Sequence, residues 1–446
     1  MRVVVVGAGA AGTTAAAWVR RVNRNAELMV VTEERWGNYS RCALPHLIAG
    51  VFETPEQIVE NPPSFFKQTL RAEIRQARVE RLDVDRRTLI LEGGEALTYD
   101  SLVLATGAKP RRLGVPGEGL QGVYVLRTIE DALEIRERAK RAETAVVVGA
   151  GFIGMEVAEA LHQRGLRVVV VHRSPEILSA VLDPDLAKRV RGRSPEGVEY
   201  RLSAEVARFE GGEEVEAVVL KTGERVETQL VVIAIGVVPH TELAAEAKIA
   251  TDRCGILVDE YMRTSAQHVY ACGDVTSYYN AVTKTRGNPR LGTVAVRQGI
   301  VAGTNAAGGK AVCPPFTGAA TSRLFGVEVA TVGCTSRSLT RRGIAFEQAK
   351  ARGWSHEPIY PGAHYLEVKL LFDPCDGRVL GAQVVGEEKY TVAPRANLLS
   401  LVIARRMTVF DLKDLESCYA PPVAPVWDPV WVAARLACAK VERRKG

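Results

Sequence analysis

The chain has 446 residues, 47% hydrophobic and 25% charged, which excludes a disordered polypeptide and is too long for one small core; two or three domains are expected. Its 58 Lys and Arg against 52 Asp and Glu leave a formal charge of +6. That charge is scattered over pairs such as Arg20-Arg21, Arg341-Arg342 and Arg405-Arg406, as on a solvated surface, which argues against nucleic-acid binding but favours a phosphate-bearing substrate.

The first stretch, VVVVGAGAAGTTAAAWV (3–19), is uncharged and follows Met1-Arg2, so it imitates the apolar core of a signal peptide. It is short for a membrane span. Its glycines have a better explanation, so no membrane span and a cytoplasmic chain are expected. The valine run reads as a strand that enters Gly7-x-Gly9-x-x-Gly12 and then an alanine-rich helix. In such a turn the first glycine permits the tight bend, and the second lets a pyrophosphate approach the backbone. The third allows the helix to lie close to the strand, with its N-terminus facing the phosphate charge. A second strand, ELMVV, ends at Thr32-Glu33-Glu34, where a carboxylate can bind a ribose hydroxyl; Glu33 is assigned that role, to within one residue of register. The stretch YSRCALPHLIAG (39–50) follows, with Cys42 three residues before Pro45.

The strand–glycine–helix pattern then recurs in TAVVVGAGFIGMEVAEAL, which carries Gly149, Gly151 and Gly154. Two complete fingerprints imply two dinucleotides. The next strand, in LRVVVVHRSPEIL, ends in His172-Arg173 with no carboxylate. A carboxylate favours an unmodified ribose, whereas Arg pairs with a 2′-phosphate, so NADPH is favoured over NADH, with both open. Toward the C-terminus, HYLEVKLLFDPCDGRVLGAQVVG reads as two strands joined by a turn around Asp376-Gly377, and PRANLLSLVIARRM follows with helical spacing.

Between and after the fingerprints stand LVLATGAKP (102–110), VVIAIGVVPHTEL (231–243) and VYACGDV (269–275). With the glycine loops, these resemble, over nearly the whole chain, the two-dinucleotide flavoprotein family, the pyridine nucleotide–disulfide oxidoreductases. The resemblance implies an α/β fold of two Rossmann-like domains, one for FAD and one for NAD(P), plus an α+β dimerisation domain through which subunits form homodimers. The FAD domain would be discontinuous, 1–112 and 250–315; the NAD(P) domain would span 113–249 and the interface domain 316–446. FAD contacts are implied at Gly7, Gly9, Ala10, Gly12, Glu33 and Val79, at Thr106-Gly107 behind the flavin, at Gly273, and at Thr293. Asp274 would hydrogen-bond the ribityl chain. NAD(P) contacts are implied at Gly149, Gly151, Phe152, Ile153, Gly154, His172, Arg173 and Gly236, with Glu156 lining the nicotinamide side of the flavin.

Eight cysteines occur (Cys42, Cys254, Cys272, Cys313, Cys334, Cys375, Cys418 and Cys438), with no CxxC pair and no Cys/His spacing that suits zinc. No metal is expected, and mostly buried thiols are. Relatives of the glutathione-reductase type keep two cysteines five positions apart, but Leu47 stands where the second would be. A lone redox cysteine must alternate with a mixed disulfide, a persulfide or a sulfenic acid. Cys42-Ala43-Leu44-Pro45 resembles the coenzyme A disulfide reductase branch, as do the segments IYPGAHYLEVKLLFD (359–373) and CYAPPVAPVWDPV (418–430). In that branch similar segments carry tyrosines that reach the partner subunit's cysteine; here these are Tyr360 and Tyr419.

Pro45 suits a helix's first turn, which places Cys42 at a helix N-terminus where the positive dipole end favours the thiolate. A phenol nearby can protonate a departing thiolate. His46, one turn on, is expected to face solvent, and Cys418 is a possible resolving thiol. The resemblance further suggests CoA-like substrate contacts at Thr14, Trp18 and Arg21, which share one helix face, and at Arg41. Asn38, Arg41 and Trp18 depart from the branch's usual residues, and no rhodanese-like segment appears before Gly446. The expected activity is therefore FAD-dependent NAD(P)H reduction of a small-molecule disulfide or persulfide, CoA disulfide first. The alternatives are an NAD(P)H oxidase or peroxidase cycling Cys42 through sulfenic acid, or a flavoprotein subunit passing electrons to a partner docked on PVWDPVWVAARLA.

Overall fold

The run Arg2–Val6 is the middle strand of a five-stranded sheet, with Val3, Val4 and Val5 wholly buried. β-Branched residues on both faces suit a parallel sheet covered on both sides. The strand order is Val269–Ala271, Ser101–Leu104, Arg2–Val6, Glu27–Thr32, Glu73–Gln76, and every neighbour is parallel. The helix Ala10–Val22 follows the middle strand and lies against the helix Gly292–Ala306. Gly303 permits that approach, because a Cβ there would stand 2.2 Å from the Ala15 carbonyl oxygen. A three-stranded antiparallel sheet, Val79–Asp83, Thr88–Leu91 and Ala96–Thr98, joins the same unit.

The computed structural model describes residues 1–387 and 390–445 and divides into two compact units. The first comprises Met1–Arg111, Arg127–Ile129 and Val237–Phe316; the second comprises Arg112–Leu126, Glu130–Gly236 and the chain from Thr317. The chain returns to the first unit at Val237, ahead of the expected 250, because Val237–Pro239 pairs antiparallel with Ala108–Pro110.

The second unit repeats the plan of the first. Its parallel sheet runs Val123–Val125, Leu230–Ile233, Thr144–Val148, Arg167–His172, Val198–Leu202. A second antiparallel three-stranded sheet, Val206–Glu210, Ala217–Leu220 and Arg225–Glu227, accompanies it. The unit also holds an antiparallel sheet ordered Ala320–Leu324, Val327–Gly333, Val379–Glu387, Tyr365–Phe372, Glu347–Trp354. The strands expected on either side of Asp376-Gly377 are Tyr365–Phe372 and Val379–Glu387, and the expected helix is Val392–Ala404.

A buried ionic cluster fastens this antiparallel sheet to the helix Pro184–Arg191. Lys369, 5% exposed, places Nζ 2.9 Å from Asp183 Oδ2 and 2.9 Å from Asp185 Oδ1. Asp183 Oδ1 also accepts from the Ser336 hydroxyl at 2.8 Å, while the Asp183 N–H donates to Gln383 Oε1 at 2.7 Å. Deleting one partner of such a pair strands a buried charge at a cost of about 3–5 kcal/mol. Among the described residues no helix is long and apolar enough to cross a membrane, and no group of three or more His, Cys, Asp or Glu is placed to hold a metal ion.

Candidate active site

In the first unit Gly7 takes φ +106°, and a Cβ there would lie 2.3 Å from the Ala105 carbonyl oxygen. A Cβ on Gly12 would lie 1.8 Å from the Gly7 carbonyl oxygen. Both positions therefore require glycine, and the helix Ala10–Val22 starts from Gly9 with no side-chain cap hydrogen bond. Gly9 opens toward charge: the nearest atom to a Cβ there is Arg41 Nη2, at 3.9 Å. Arg41 Nη2 donates to Glu34 Oε1 at 2.6 Å, and Nη1 donates to the Tyr39 hydroxyl at 2.7 Å and the Arg127 carbonyl oxygen at 2.9 Å. Arg127 Nη2 lies 3.6 Å from Asp274 Oδ2, and burial together with the neighbouring Arg41 holds the Arg127 pKa down.

Glu33 is exposed and pairs loosely with Arg78 at 3.8 Å, because the strand ends at Thr32 and turns the next side chain outward. The carboxylate near the loop belongs to Glu34, whose Oε2 is buried without a hydrogen-bond partner among the described residues. A buried acceptor lacking a donor fits a ribose hydroxyl. Arg41, expected to clamp a substrate phosphate, is paired with Glu34 in this structure. Trp18 and Arg21 do share a face, the guanidinium standing 5.5 Å from the ring centroid, but Thr14 lies against the helix Gly292–Ala306 at Gly299.

The remaining FAD-type positions lie in the same unit. Gly273, φ +83°, donates its N–H to Gln298 Oε1 at 2.8 Å and leads into the short turn that carries Asp274. Thr106 donates its hydroxyl to the His240 carbonyl oxygen at 2.8 Å, and the His240 N–H donates to the Gly107 carbonyl oxygen at 3.0 Å. Ala10 opens its helix, Val79 opens its strand half-buried, and Thr293 is exposed in the first turn of Gly292–Ala306.

Cys42 is exposed in the 3-10 turn Arg41–Ala43, which leads straight into the helix Leu44–Ala49 with Pro45 in its first turn. His46 is half-buried. No disulfide joins any of the cysteines. Only Cys272, Cys313, Cys334 and Cys438 are buried; burial pushes the Cys272 thiol up to about 12 and those of Cys313 and Cys438 up to about 11, which makes them inert. Cys375 and Cys418 are exposed.

The second unit holds a copy of the glycine turn. Gly149 has φ +109°, and a Cβ on Gly154 would lie 1.9 Å from the Gly149 carbonyl oxygen. A Cβ on Gly151 or Gly236 would meet nothing, so both leave open space. Phe152 opens the helix Phe152–Gln163, and Ile153 stands 44% exposed beside it. His172 turns inward, its Nδ1 accepting from the Ala150 N–H at 3.3 Å, which leaves the proton on Nε2, 3.3 Å from the Ser179 hydroxyl. Burial, with Arg173 and Arg337, lowers its pKa, so His172 braces the loop as a neutral ring. Arg173 is exposed. Glu156 accepts a 2.6 Å hydrogen bond from the Ser322 hydroxyl, and burial pushes its carboxyl up to about 6.

Tyr360 is 39% and Tyr419 52% exposed. Their two segments are laced together by Glu357, whose N–H donates to the Pro421 carbonyl oxygen at 3.0 Å and whose Oε1 accepts from the Val426 N–H at 3.3 Å. In the segment that carries Tyr360, Ser355 Oγ lies 3.1 Å from His356 Nδ1 and 3.1 Å from His364 Nδ1, while His356 Nε2 donates to the Pro361 carbonyl oxygen at 3.3 Å. Around them Ile359, Val423 and Trp427 are 84%, 74% and 62% exposed, an apolar surface that calls for a covering partner. Sequence reasoning missed Arg127, Ser322 and Glu357, and left Glu34 as the one-residue alternative to Glu33. Only Glu34 had a signal, as the second carboxylate at its strand end.

Residues 1–299 match the family described as pyridine nucleotide-disulphide oxidoreductase, and residues 320–429 match the dimerisation domain of that family. An NADH oxidase of Methanocaldococcus jannaschii is 36% identical over 453 residues, covering 100% of both chains. An NAD(P)H coenzyme A polysulfide/persulfide reductase of Pyrococcus horikoshii is 32% identical across 98% of each chain. The structure of an NAD-dependent persulfide reductase from A. fulgidus superposes with a TM-score of 0.96 at 33% identity, covering 99% of this chain and 84% of that chain.

Proposed function

The chain belongs to the pyridine nucleotide-disulphide oxidoreductase family, and from that premise we propose a cytoplasmic homodimer that reduces a small-molecule disulfide or persulfide at Cys42, CoA disulfide or CoA persulfide first. It is an FAD-dependent NAD(P)H oxidoreductase. Bound FAD supplies the two-electron relay between nicotinamide and sulfur.

The side chains divide the remaining work. Gly7, Gly9 and Gly12 leave room for the FAD pyrophosphate, Arg127 offsets its charge, and Glu34 Oε2 takes a ribose hydroxyl. The Cys42 thiolate attacks one sulfur of the substrate disulfide; the S–S bond breaks, a mixed disulfide forms on Cys42, and one thiolate leaves. One phenol, Tyr360 or Tyr419 of the partner subunit, gives that thiolate its proton, and the other phenol stands beside it. Over a full cycle one disulfide, one NAD(P)H and one proton become two thiols and NAD(P)⁺. Trp18 and Arg21 together suit a phosphate-bearing tail such as that of CoA. Arg173, exposed at a strand end without a carboxylate, supports NADPH over NADH.

The observation that carries this reading is the exposure of Cys42 in the unit that holds the first glycine cradle, while four other thiols are buried. The test is anaerobic reduction of the FAD-loaded enzyme by NADPH, followed by oxidation with CoA disulfide, polysulfide, peroxide or oxygen in separate runs. Fastest reoxidation by CoA disulfide or polysulfide is expected. Fastest reoxidation by peroxide or oxygen would favour the second reading, in which Cys42 cycles through sulfenic acid; the likeness to the M. jannaschii NADH oxidase supports that alternative.

A further inference from the structure

Ser322 comes from the strand Ala320–Leu324 of the C-terminal antiparallel sheet, yet its hydroxyl lies 2.6 Å from Glu156 Oε1 on the helix Phe152–Gln163. An ionised carboxylate only accepts, so the hydroxyl donates. Strand alternation puts Ser322 on the inward face with Leu324, and the neighbouring Thr321 and Arg323 are exposed.

We propose that Ser322 is a positioning residue for hydride transfer: its donated hydrogen bond orients the Glu156 carboxylate and sets the pH range over which NAD(P)H reacts. The inference rests on the reading of Glu156 as the carboxylate on the nicotinamide side. Loss of hydride leaves a cationic nicotinamide, and a fixed carboxylate facing it favours that charge as it develops. Only the ionised form does so. Burial raises the Glu156 carboxyl to about 6, the Ser322 hydrogen bond opposes the rise, and Glu159 one turn along the helix adds to it. The strands Thr144–Val148, Arg167–His172 and Leu230–Ile233 pack against the same helix. Their charged or titratable residues lie at the ends of one strand: Arg167, 2.7 Å from Glu199, and His172, already engaged with Ala150 and Ser179.

The test is the pH dependence of anaerobic flavin reduction by NADPH in the FAD-loaded enzyme. The wild-type rate should rise with pH through about 6. In Ser322→Ala that limb should move up by about one pH unit, the worth of a hydrogen bond to a charged group. Ser322→Thr, which keeps a hydroxyl, should restore it. A second readout needs no turnover. A carboxyl raised in the folded state contributes stability that is full below its ordinary 4.5 and lost as pH rises through about 6. The melting-temperature difference between wild type and Glu156→Gln should therefore change through about 6, and at higher pH when measured in the Ser322→Ala background. If Glu156→Gln removes the kinetic limb but Ser322→Ala leaves both curves in place, the Ser322 inference is overturned while the assignment of Glu156 stands. If Glu156→Gln keeps the limb, both fall.

Discussion

At the end of the strand Arg167–His172 two neighbouring side chains take opposite directions. His172 folds inward to accept from the Ala150 N–H, and Arg173 remains exposed; on the proposed reading that cation meets the 2′-phosphate of NADPH. Arg173→Glu should raise the Michaelis constant for NADPH about ten- to a hundredfold more than that for NADH, the worth of one charge-assisted contact. Steady-state kinetics with both nucleotides checks this; equal effects would place Arg173 in solvent. The absence of a carboxylate here was legible in the sequence, but the inward turn of His172 was not, since it depends on a backbone N–H more than twenty residues away. Glu33 and Glu34 differ for a related reason. Composition shows two acids at a strand end, and only the residue at which the strand stops decides which of them faces the loop.

The glycine turns were readable because their chemistry is steric and local. Each needs a glycine wherever a Cβ would strike a carbonyl, and Gly12 and Gly154 meet the same obstacle in the two units, at 1.8 and 1.9 Å. Gly154→Ala should leave FAD bound, with its visible spectrum intact, and weaken NADPH by about tenfold or more through displacement of the loop. Gly12→Ala should lose FAD instead. Flavin absorbance and nucleotide titration of the two variants separate these outcomes; loss of FAD from Gly154→Ala would contradict independent cradles. Elements assembled from distant chain were less legible. The segment Arg127–Ile129 dips back into the first unit and brings Arg127 to Asp274, although nothing in VLRTIEDA announces it. Glu357 joins the two tyrosine segments by bonding, through its own N–H and its carboxylate, to backbone groups of the second segment, which leave no mark in the sequence.

Across the whole molecule, the dimerisation domain and the apolar surface around Ile359, Val423 and Trp427 suit a homodimer, and the proposed mechanism has each copy complete the other's site. On this account Tyr360 and Tyr419 of the partner subunit serve Cys42. Mixing inactive Cys42→Ser chains with inactive Tyr360→Phe/Tyr419→Phe chains should then restore activity, because one of the two sites in each mixed dimer is intact. Mixed dimers that form and remain inactive would assign the whole site to one chain. The most direct measurement isolates the thiol. Stopped-flow reduction of FAD-loaded Cys42→Ser by NADPH, followed by mixing with CoA disulfide or polysulfide, separates the nicotinamide half of the reaction from the sulfur half. The account predicts flavin reduction at close to the wild-type rate and no disulfide or persulfide turnover; turnover at the wild-type rate without Cys42 would contradict it.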